Sequence, residues 1–239
     1  MDAAMPDREG TAEAERHVSS CRAARQTAAA MSDRERGYPS GFSKQREKTE
    51  SMAKLYFRYG AMGSSKTANI LMVRYNYLEK GLRPLLVKPM VDTRYGGRTV
   101  QSRMGLSAEC ILFHELREMP EKDVQWYDAI LVDEAQFLAA EDVDFLTDIV
   151  DKLSIPVLCY GLKIDFTGHL FEGSRRLLEV AEVIEEVPTV CWCGRRATFN
   201  ARFDENGRIL HEGAQVLMGA NEQYTSLCRR HYKEGKLRP

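Results

Sequence analysis

The sequence contains no apolar run long enough to span a membrane. No stretch of its 239 residues approaches the roughly 18 apolar residues that a spanning helix needs, and the N-terminus carries no apolar signal region. The chain also has no excess of charge of one sign, because 34 Lys and Arg residues are balanced by 35 Asp and Glu residues. A nucleic acid or an anionic membrane would therefore need a local basic patch to bind. We expect a cytoplasmic protein with no nucleic-acid partner and no membrane partner.

Cysteine is too scarce in this chain for a disulfide scaffold. The sequence has six cysteines among 239 residues, far below the density of small disulfide-stabilised proteins. Three of them, Cys191, Cys193 and Cys228, fall in the last fifth of the chain, whereas the other three are scattered. This uneven spacing favours metal binding over disulfide formation.

Residues 1–51 contain no Leu and no Ile, and Val18 and Phe42 are their only Val and Phe. The segment carries nine basic and nine acidic side chains. A chain of this composition cannot bury enough apolar surface to offset the conformational entropy that it would lose on folding. We therefore expect residues 1–51 to be a disordered N-terminal extension, and the functional protein to begin near Met52.

Beyond Met52, short apolar runs alternate with helical patterns, which is typical of βαβ units and a parallel sheet. The predicted strands are residues 54–59, 84–88, 110–113, 129–132 and 156–160, and the predicted helices are residues 67–80 and 142–153. After Glu179 the pattern changes to short alternating segments around a turn signal at 204–207. We expect a nucleotide-binding α/β domain over residues 52–187. A small hairpin-based domain over residues 188–239 would be too small to fold without a stabilising crosslink.

A glycine- and serine-rich loop follows the first predicted strand and precedes a helix, as in a Walker A phosphate loop. Its predicted ATP-binding residues are Gly60, Ala61, Met62, Gly63, Ser64, Ser65, Lys66 and Thr67. Lys66 would neutralise the β- and γ-phosphate oxygens, and the Thr67 hydroxyl would bind Mg²⁺. Ser65 stands where the pattern G-x-x-x-x-G-K-[ST] has its second glycine, which puts ATP affinity in question. The simpler interpretation is a loop that only caps a helix.

Two adjacent carboxylates end the apolar run 129–132. Asp133 occupies the Walker B position, at which an Asp holds Mg²⁺, and Glu134 could accept a proton as a general base. The simpler interpretation is an acidic helix N-terminus after a buried strand. A helicase is a weak alternative, because fewer than 190 residues follow Met52 and a helicase needs two domains of this kind.

The clustered cysteines form a pattern typical of structural zinc. The four predicted ligands are Cys191, Cys193, Cys228 and His231. Three thiolates and one imidazole complete a tetrahedral site with no open position, so the metal would fold the module rather than catalyse. The simpler interpretation is a set of free cysteines in a reducing compartment. His211 is a possible competing ligand, although we expect it on the surface.

Taken in order, these motifs resemble type II (cellular-type) thymidine kinases, most closely the bacterial branch. The resemblance extends from residue 52 to about residue 235 and includes Asp92-Thr93-Arg94-Tyr95, residues 156–162 and residues 219–224. No single motif is enough to establish this resemblance, but the combination of motifs in this order is highly specific. It implies a RecA-like P-loop core with a mostly parallel sheet and a small zinc-bearing lasso domain. It also implies assembly as a homotetramer or homodimer.

The resemblance further implies ATP-dependent phosphorylation of the 5′-hydroxyl of thymidine, with Mg²⁺ and structural Zn²⁺. Glu134 would be the general base, Arg94 would stabilise the transferring phosphoryl group together with Lys66, and Gln136 would join the ATP site. The implied substrate-binding residues are Asp92, Phe137, Phe166, Phe171, Leu217, Met218, Gly219 and Tyr224.

Simpler roles remain open for several of these residues. Asp92 and Arg94 could form a loop ion pair, and Phe166 and Phe171 could be ordinary core residues. Two other functions also remain open. One is a P-loop ATPase that acts on a partner, and the other is a zinc-stapled module with a degenerate nucleotide site.

Overall fold

The computed structural model describes residues 53–90, 97–213, 215 and 223–238. They lie within one compact unit, Ser51–Pro239. The disorder predicted for residues 1–51 and the expected start near Met52 fall outside the described residues. Among the described residues, no helix is both long enough and apolar enough to cross a membrane.

Two groups of elements follow one another along the chain. The strands are β1 Leu55–Tyr59, β2 Pro84–Lys88, β3 Thr99–Gln101, β4 Ser107–Glu109, β5 Ile111–Leu112, β6 Ala129–Val132, β7 Val157–Gly161, β8 Val183–Glu186, β9 Phe199–Phe203, β10 Ile209–Leu210 and β11 Tyr224–Leu227. The helices are α1 Lys66–Glu79, α2 Phe113–Arg117, α3 Glu121–Val124, α4 Ala140–Leu153, α5 Glu172–Val180 and α6 Arg229–Glu234. The first group, up to β8, contains the six strands of the main sheet and a separate antiparallel pair, β3 with β4. The second group builds a smaller, three-stranded sheet.

The main sheet has six strands in the order β5-β2-β6-β7-β1-β8. Every pairing between neighbouring strands in it is parallel. The predicted α/β fold with a mostly parallel sheet is therefore confirmed. In a parallel sheet all carboxyl ends share one edge, so the segments that follow β1 and β6 lie at the same edge of the molecule.

Helices cover both faces of this sheet, and alternate strand residues pack against them. Ile130 and Val132 belong to the core that includes α4, whereas Leu131 belongs to the core that includes Ile70 and Leu71 of α1. All positions of β2, β6 and β7 are buried. This two-sided burial explains why those strands are continuous apolar runs in the sequence.

The smaller sheet is antiparallel and has the order β10-β9-β11. The turn signal at 204–207 joins β9 to β10, where Gly207 adopts a left-handed conformation with φ 73° and its N–H donates to the Asp204 carbonyl. The expected hairpin is thus present. Its compact core includes Cys191, Leu227 and Tyr232. The division into two domains at residue 187 stays a prediction.

Several element boundaries differ from those expected. The strand predicted over 110–113 contains only Ile111 and Leu112, because Phe113 starts α2. Glu115 accepts a hydrogen bond from the Leu112 N–H at 2.9 Å, which caps the helix. The C-terminal end of α1 matches expectation, since Gly81 follows it with φ 68°.

The edge strand of the main sheet and the helix before it were not expected from the sequence. The strand β8 pairs with β1 at the sheet edge, and the helix α5 precedes it. The edge strand is half-exposed and carries two glutamates in four residues, so it has no apolar run to signal it.

Candidate active site

The phosphate loop, residues 60–67, connects the end of β1 to the start of α1. Lys66 Nζ donates hydrogen bonds to two carbonyl oxygens of this loop, those of Gly60 at 3.0 Å and Ala61 at 2.9 Å. A third bond runs from Lys66 Nζ to Ser64 Oγ at 3.1 Å. The loop therefore curves around the ammonium group, at the N-terminus of a 14-residue helix where anions are favoured.

Ser65, which replaces the second glycine of the Walker A pattern, adopts the left-handed conformation with φ 61°. A side chain is strained in this region, which glycine enters freely. The Ser65 carbonyl nevertheless accepts the Asn69 N–H at 2.9 Å, as the first turn of α1 requires. Ser65 therefore adopts a backbone conformation that favours glycine, and its backbone is locally strained as a result.

Asp133 and Glu134 follow β6 and act electrostatically on Lys66. Burial lowers the pKa of Lys66 to about 8, while Glu134 and then Asp133 oppose that shift. Asp133 is 5% exposed, and its burial, followed by the charge of Glu134, raises the pKa of Asp133. The Thr67 side chain and the Lys66 charge oppose this rise. The predicted Walker A and Walker B groups therefore meet at one edge of the sheet.

Glu134 is held in a strained conformation with a fixed side chain. Its φ is 53°, in the left-handed region that residues other than glycine seldom adopt. Glu134 Oε2 accepts a hydrogen bond from Gln136 Nε2 at 2.6 Å, and Gln136 Oε1 accepts the Leu162 N–H at 3.0 Å. Gln136 is 1% exposed. A buried amide thus orients the carboxylate that the sequence predicts as the base.

Two glycines allow close packing around the turn that carries Glu134. A Cβ atom at Gly161 would lie 2.7 Å from Gln136 Oε1. A Cβ at Gly173, in α5, would lie 2.6 Å from the carbonyl oxygens of Ala135 and Leu138. Both distances are shorter than real Cβ contacts, so any side chain at either glycine would displace the turn.

The four predicted aromatic substrate residues form two edge-to-face pairs. The ring centroids of Phe137 and Phe171 lie 5.7 Å apart, and those of Phe166 and Tyr224 lie 6.5 Å apart. Phe166 and Phe171 are almost fully buried, at 1% and 5% exposure. The Arg202 guanidinium carbon lies 3.8 Å from the Phe166 ring centroid. The first pair joins the turn after β6 to the start of α5, and the second joins the loop after β7 to β11 of the small sheet.

Asp165 precedes Phe166 and anchors a turn that no local sequence pattern indicates. Asp165 Oδ1 accepts three bonds, from Thr167 N and Oγ1 and from His169 N, at 2.7 to 3.0 Å. Asp165 Oδ2 accepts the Gln215 amide at 2.9 Å. Although burial alone would raise it, these hydrogen bonds lower the pKa of Asp165. This role of Asp165 can be recognised only from its hydrogen-bond partners in the folded chain.

The four predicted zinc ligands converge. The ligand atoms of Cys191, Cys193, Cys228 and His231 all lie within 4.8 Å of one another. Cys191 Sγ lies 3.4 Å from His231 Nδ1, and Cys193 Sγ lies 4.0 Å from Cys228 Sγ. Burial opposes ionisation of Cys191, but the backbone N–H groups of Cys193 and Cys228 lower the pKa of its thiol. Three sulfurs and one imidazole nitrogen suit tetrahedral Zn²⁺.

His211 takes no part in this cluster. It is exposed, and its ring packs edge-on against Tyr232 at 5.4 Å between centroids. The expectation that His211 lies on the surface is confirmed. Five predicted site residues fall outside the described residues, namely Asp92, Arg94, Leu217, Met218 and Gly219.

The profile of one protein family, described as thymidine kinase, matches residues 53–232. The chain belongs to the thymidine kinase family. A thymidine kinase of Legionella pneumophila (strain Lens) is 48% identical over 191 residues, which cover 77% of this chain and 91% of that protein. One from Vibrio cholerae is 47% identical over 188 residues, covering 77% of this chain and 98% of its own length. A Haemophilus influenzae thymidine kinase is 45% identical over 190 residues, which cover 77% of this chain and 97% of that protein.

Membership of the thymidine kinase family confirms the resemblance drawn from the sequence motifs. The match begins at residue 53, two residues after the end of the segment predicted to be an extension, and it ends one residue beyond the last predicted zinc ligand. It therefore includes the phosphate loop, the acidic pair and the cysteine cluster of this thymidine kinase.

Proposed function

We propose that this chain transfers the γ-phosphoryl group of ATP to the 5′-hydroxyl of thymidine, giving thymidine monophosphate and ADP. The observation that carries the proposal is the meeting of Lys66, Asp133 and Glu134 at one sheet edge, where both carboxylates act on the Lys66 ammonium. A phosphate-binding cation and a base are the two groups that transfer to a hydroxyl requires.

The phosphate loop is the proposed ATP site. The N–H groups at the start of α1 and the Lys66 ammonium offer positive charge to the β- and γ-phosphate oxygens. Thr67 and Asp133 are the proposed residues for holding Mg²⁺, and the Thr67 side chain acts on the Asp133 carboxyl. Hydroxyl and carboxylate oxygens are the ligands that this ion prefers, and when bound it supplies charge neutralisation at the phosphates.

Glu134 is the proposed general base. Its carboxylate accepts the proton of the 5′-hydroxyl as the hydroxyl oxygen bonds to the γ-phosphorus and the bond from that phosphorus to the β,γ-bridging oxygen breaks. Positioned bases of this kind contribute a factor of about 10² to 10⁴ in rate. The bond from Gln136 Nε2 reaches Oε2 and orients the Glu134 carboxylate. Lys66 and Arg94 would stabilise the charge on the group in transfer.

Thymidine is proposed to bind beside the two aromatic pairs, Phe137 with Phe171 and Phe166 with Tyr224. Aromatic rings suit the flat apolar faces of a nucleobase. Asp92 would contact the sugar. The backbone of residues 217–219 would complete the thymine site. Names of the related proteins support this substrate, since the similar bacterial proteins are thymidine kinases.

The Cys and His cluster is proposed to hold a structural Zn²⁺, which when bound ties the small sheet to α6 through its four ligands.

We also propose that the protein acts in the cytoplasm, where thiols stay reduced, as a homotetramer or homodimer. The exposed apolar side chains of Met72, Tyr75 and Leu78 on α1 support assembly, at 44% to 60% exposure.

Nucleoside-dependent ADP release tests this function. The full-length protein with Mg²⁺ and ATP is expected to release ADP when thymidine is added, and far less with purine nucleosides or with no nucleoside. ADP release at the same rate without any nucleoside would instead favour a P-loop ATPase that acts on a partner. Failure to bind ATP at all would favour a zinc-stapled module with a degenerate nucleotide site.

A further inference from the structure

Both polar backbone atoms of Met62, the third residue of the phosphate loop, are bonded to side chains of the small sheet. The Met62 N–H donates to Asn200 Oδ1 at 2.8 Å. Ser226 Oγ donates to the Met62 carbonyl oxygen. These contacts join residues that are 138 and 164 positions apart in the chain. The apex of the loop is therefore held by a part of the protein that carries no nucleotide-binding motif.

The Asn200 side chain is fixed in the orientation that this contact needs. It is 3% exposed, and while its Oδ1 accepts from Met62 its Nδ2 donates to the Ile164 carbonyl at 2.9 Å. Turning the amide over would set a donor against the Met62 N–H and an acceptor against a carbonyl oxygen. Because a buried polar atom without its partner costs about 1 to 3 kcal/mol, Asn200 has one stable orientation.

Asn200 and Ser226 are directly opposite each other in the β9–β11 ladder. Opposed residues of an antiparallel pair project from the same face of the sheet, so one rung of the ladder supplies both contacts to Met62. A further bond to the loop, from Thr189 Oγ1 to the Gly63 carbonyl at 3.4 Å, comes from the segment between β8 and β9. The small sheet therefore holds Met62, and the segment before that sheet holds the next loop residue, Gly63.

We propose that Asn200 and Ser226 are positioning residues for ATP binding. By holding both backbone atoms of Met62, they keep the loop in its curved shape before the nucleotide arrives, so that less conformational entropy is lost on binding. This inference rests on the proposed function, since it takes ATP to be the ligand of the loop. The two side chains touch the loop backbone and act on ATP only through it.

Single and double alanine substitutions test the pair. The full-length variants Asn200→Ala, Ser226→Ala and the double variant are compared with wild type by calorimetric titration with MgATP. Asn206→Ala and Thr225→Ala are the matched controls, because Asn206 is in the exposed hairpin turn and Thr225 is adjacent to Ser226 on the other face of β11. Zinc content and melting temperature are measured for each protein, and the Michaelis constants for ATP and thymidine are determined separately.

Each single variant is expected to raise the Kd for MgATP roughly tenfold, the effect of losing one hydrogen bond. The double variant is expected to fall short of the product of the two effects, because both bonds hold the same residue. The KM for thymidine and the zinc content stay at wild-type values, as do all properties of the controls. A purely structural role would lower stability and alter both Michaelis constants together.

Unchanged ATP affinity in Ser226→Ala, with zinc content retained, would overturn the inference. That variant removes one hydroxyl from a half-buried strand position, so it serves as the test even if Asn200→Ala does not fold. Equal losses in the Thr225→Ala control would also overturn it. A wild-type protein that does not bind MgATP refutes the proposed function itself, which separates the two failures.

Discussion

The side-chain amide of Gln136 donates from Nε2 to Oε2 of Glu134 at 2.6 Å. Its other end accepts the Leu162 N–H at 3.0 Å, at the end of the neighbouring strand β7. The proposed base is thus aimed by an amide that is itself fixed to the sheet. Gln136 is predicted from the sequence to bind ATP, and that role stays a prediction. Its described contacts make it a positioning residue for Glu134.

Gln136→Met removes the amide while keeping the length of the side chain. We expect kcat to fall about tenfold with little change in the KM for ATP, because a lost hydrogen bond to a carboxylate is worth about 1.5 kcal/mol.

Gln136→Glu places a second carboxyl group beside Glu134. Since two adjacent carboxyl groups resist ionising together, the acidic limb of the kcat profile is expected to move to higher pH.

The control for both variants is Gln125→Met, at an exposed position after α3. It is expected to leave kcat and its pH profile unchanged. An acidic limb in Gln136→Glu that coincides with that of wild type would contradict the contact between Gln136 and Glu134.

Ser65→Gly tests whether the departure from the Walker A pattern affects function. Ser65 already has the left-handed conformation, with φ 61°. Glycine relieves the strain but loses more entropy on folding, so we expect a gain of about 0.5 kcal/mol in the free energy of unfolding. The KM for ATP is expected to stay within about a factor of three of wild type. Urea denaturation and steady-state kinetics provide the two measurements.

Ser154→Gly is the matched control, because Ser154 follows α4 with φ 54° and is far from the phosphate loop in sequence. The same small gain in stability is expected there, without any kinetic change. A large fall in the KM for ATP, seen only in Ser65→Gly, would mean that the serine side chain obstructs the nucleotide.

Asp165 is expected to make the free energy of unfolding depend on pH. Its pKa is lowered in the folded protein by hydrogen bonds from Thr167, Gln215 and His169. A lowered folded-state pKa gives stability that is present above the unfolded value of about 3.9 and is lost as the pH falls through the folded value. Asp165→Asn is therefore expected to cost about 1 kcal/mol at neutral pH and almost nothing in strong acid.

Urea denaturation of wild type and Asp165→Asn between pH 2.5 and pH 7 would measure this difference. Asp148→Asn is the control, because Asp148 forms an exposed pair with Lys152 and such pairs contribute little. A difference between wild type and Asp165→Asn that stayed constant down to the lowest pH would show that the Asp165 charge has no part in the turn.

Trp192 gives an optical signal for the metal site. Its ring is stacked on the imidazole of His231, with centroids 4.1 Å apart and planes 5° apart. Without a cation, no metal bonds hold the three sulfurs and the imidazole together, so chelation is expected to open the cluster. Trp192, which is 40% exposed in the closed cluster, would then become more exposed. We expect a shift of the Trp192 emission to longer wavelength, which added Zn²⁺ reverses.

The chain has two tryptophans, so the measurement uses a Trp126→Phe background in which Trp192 is the sole emitter. Trp126 lies against Arg83, with 4.0 Å between the ring centroid and the guanidinium carbon. Complete zinc removal without any change in emission would contradict the proposed zinc site.

Local sequence patterns predicted the strands and the motifs because each depends on neighbouring residues. The buried runs that form β2 and β6 coincide with the expected residues 84–88 and 129–132. The phosphate loop and the zinc ligands follow recognisable spacings. Asn200 could not be found in this way, since its significance comes from Met62, 138 residues earlier. Likewise, nothing local marks Asp165, whose partners include Gln215, 50 residues later.

The central claim is that Glu134 removes the proton from the 5′-hydroxyl while the phosphate loop holds ATP. Transfer of the labelled γ-phosphoryl group of ATP to thymidine, measured in parallel for wild type and Glu134→Gln, tests it most directly. We predict labelled thymidine monophosphate from wild type, and from Glu134→Gln a rate about 10³-fold lower with unchanged MgATP binding. Transfer by Glu134→Gln at the wild-type rate, or label released only as inorganic phosphate, would contradict the account.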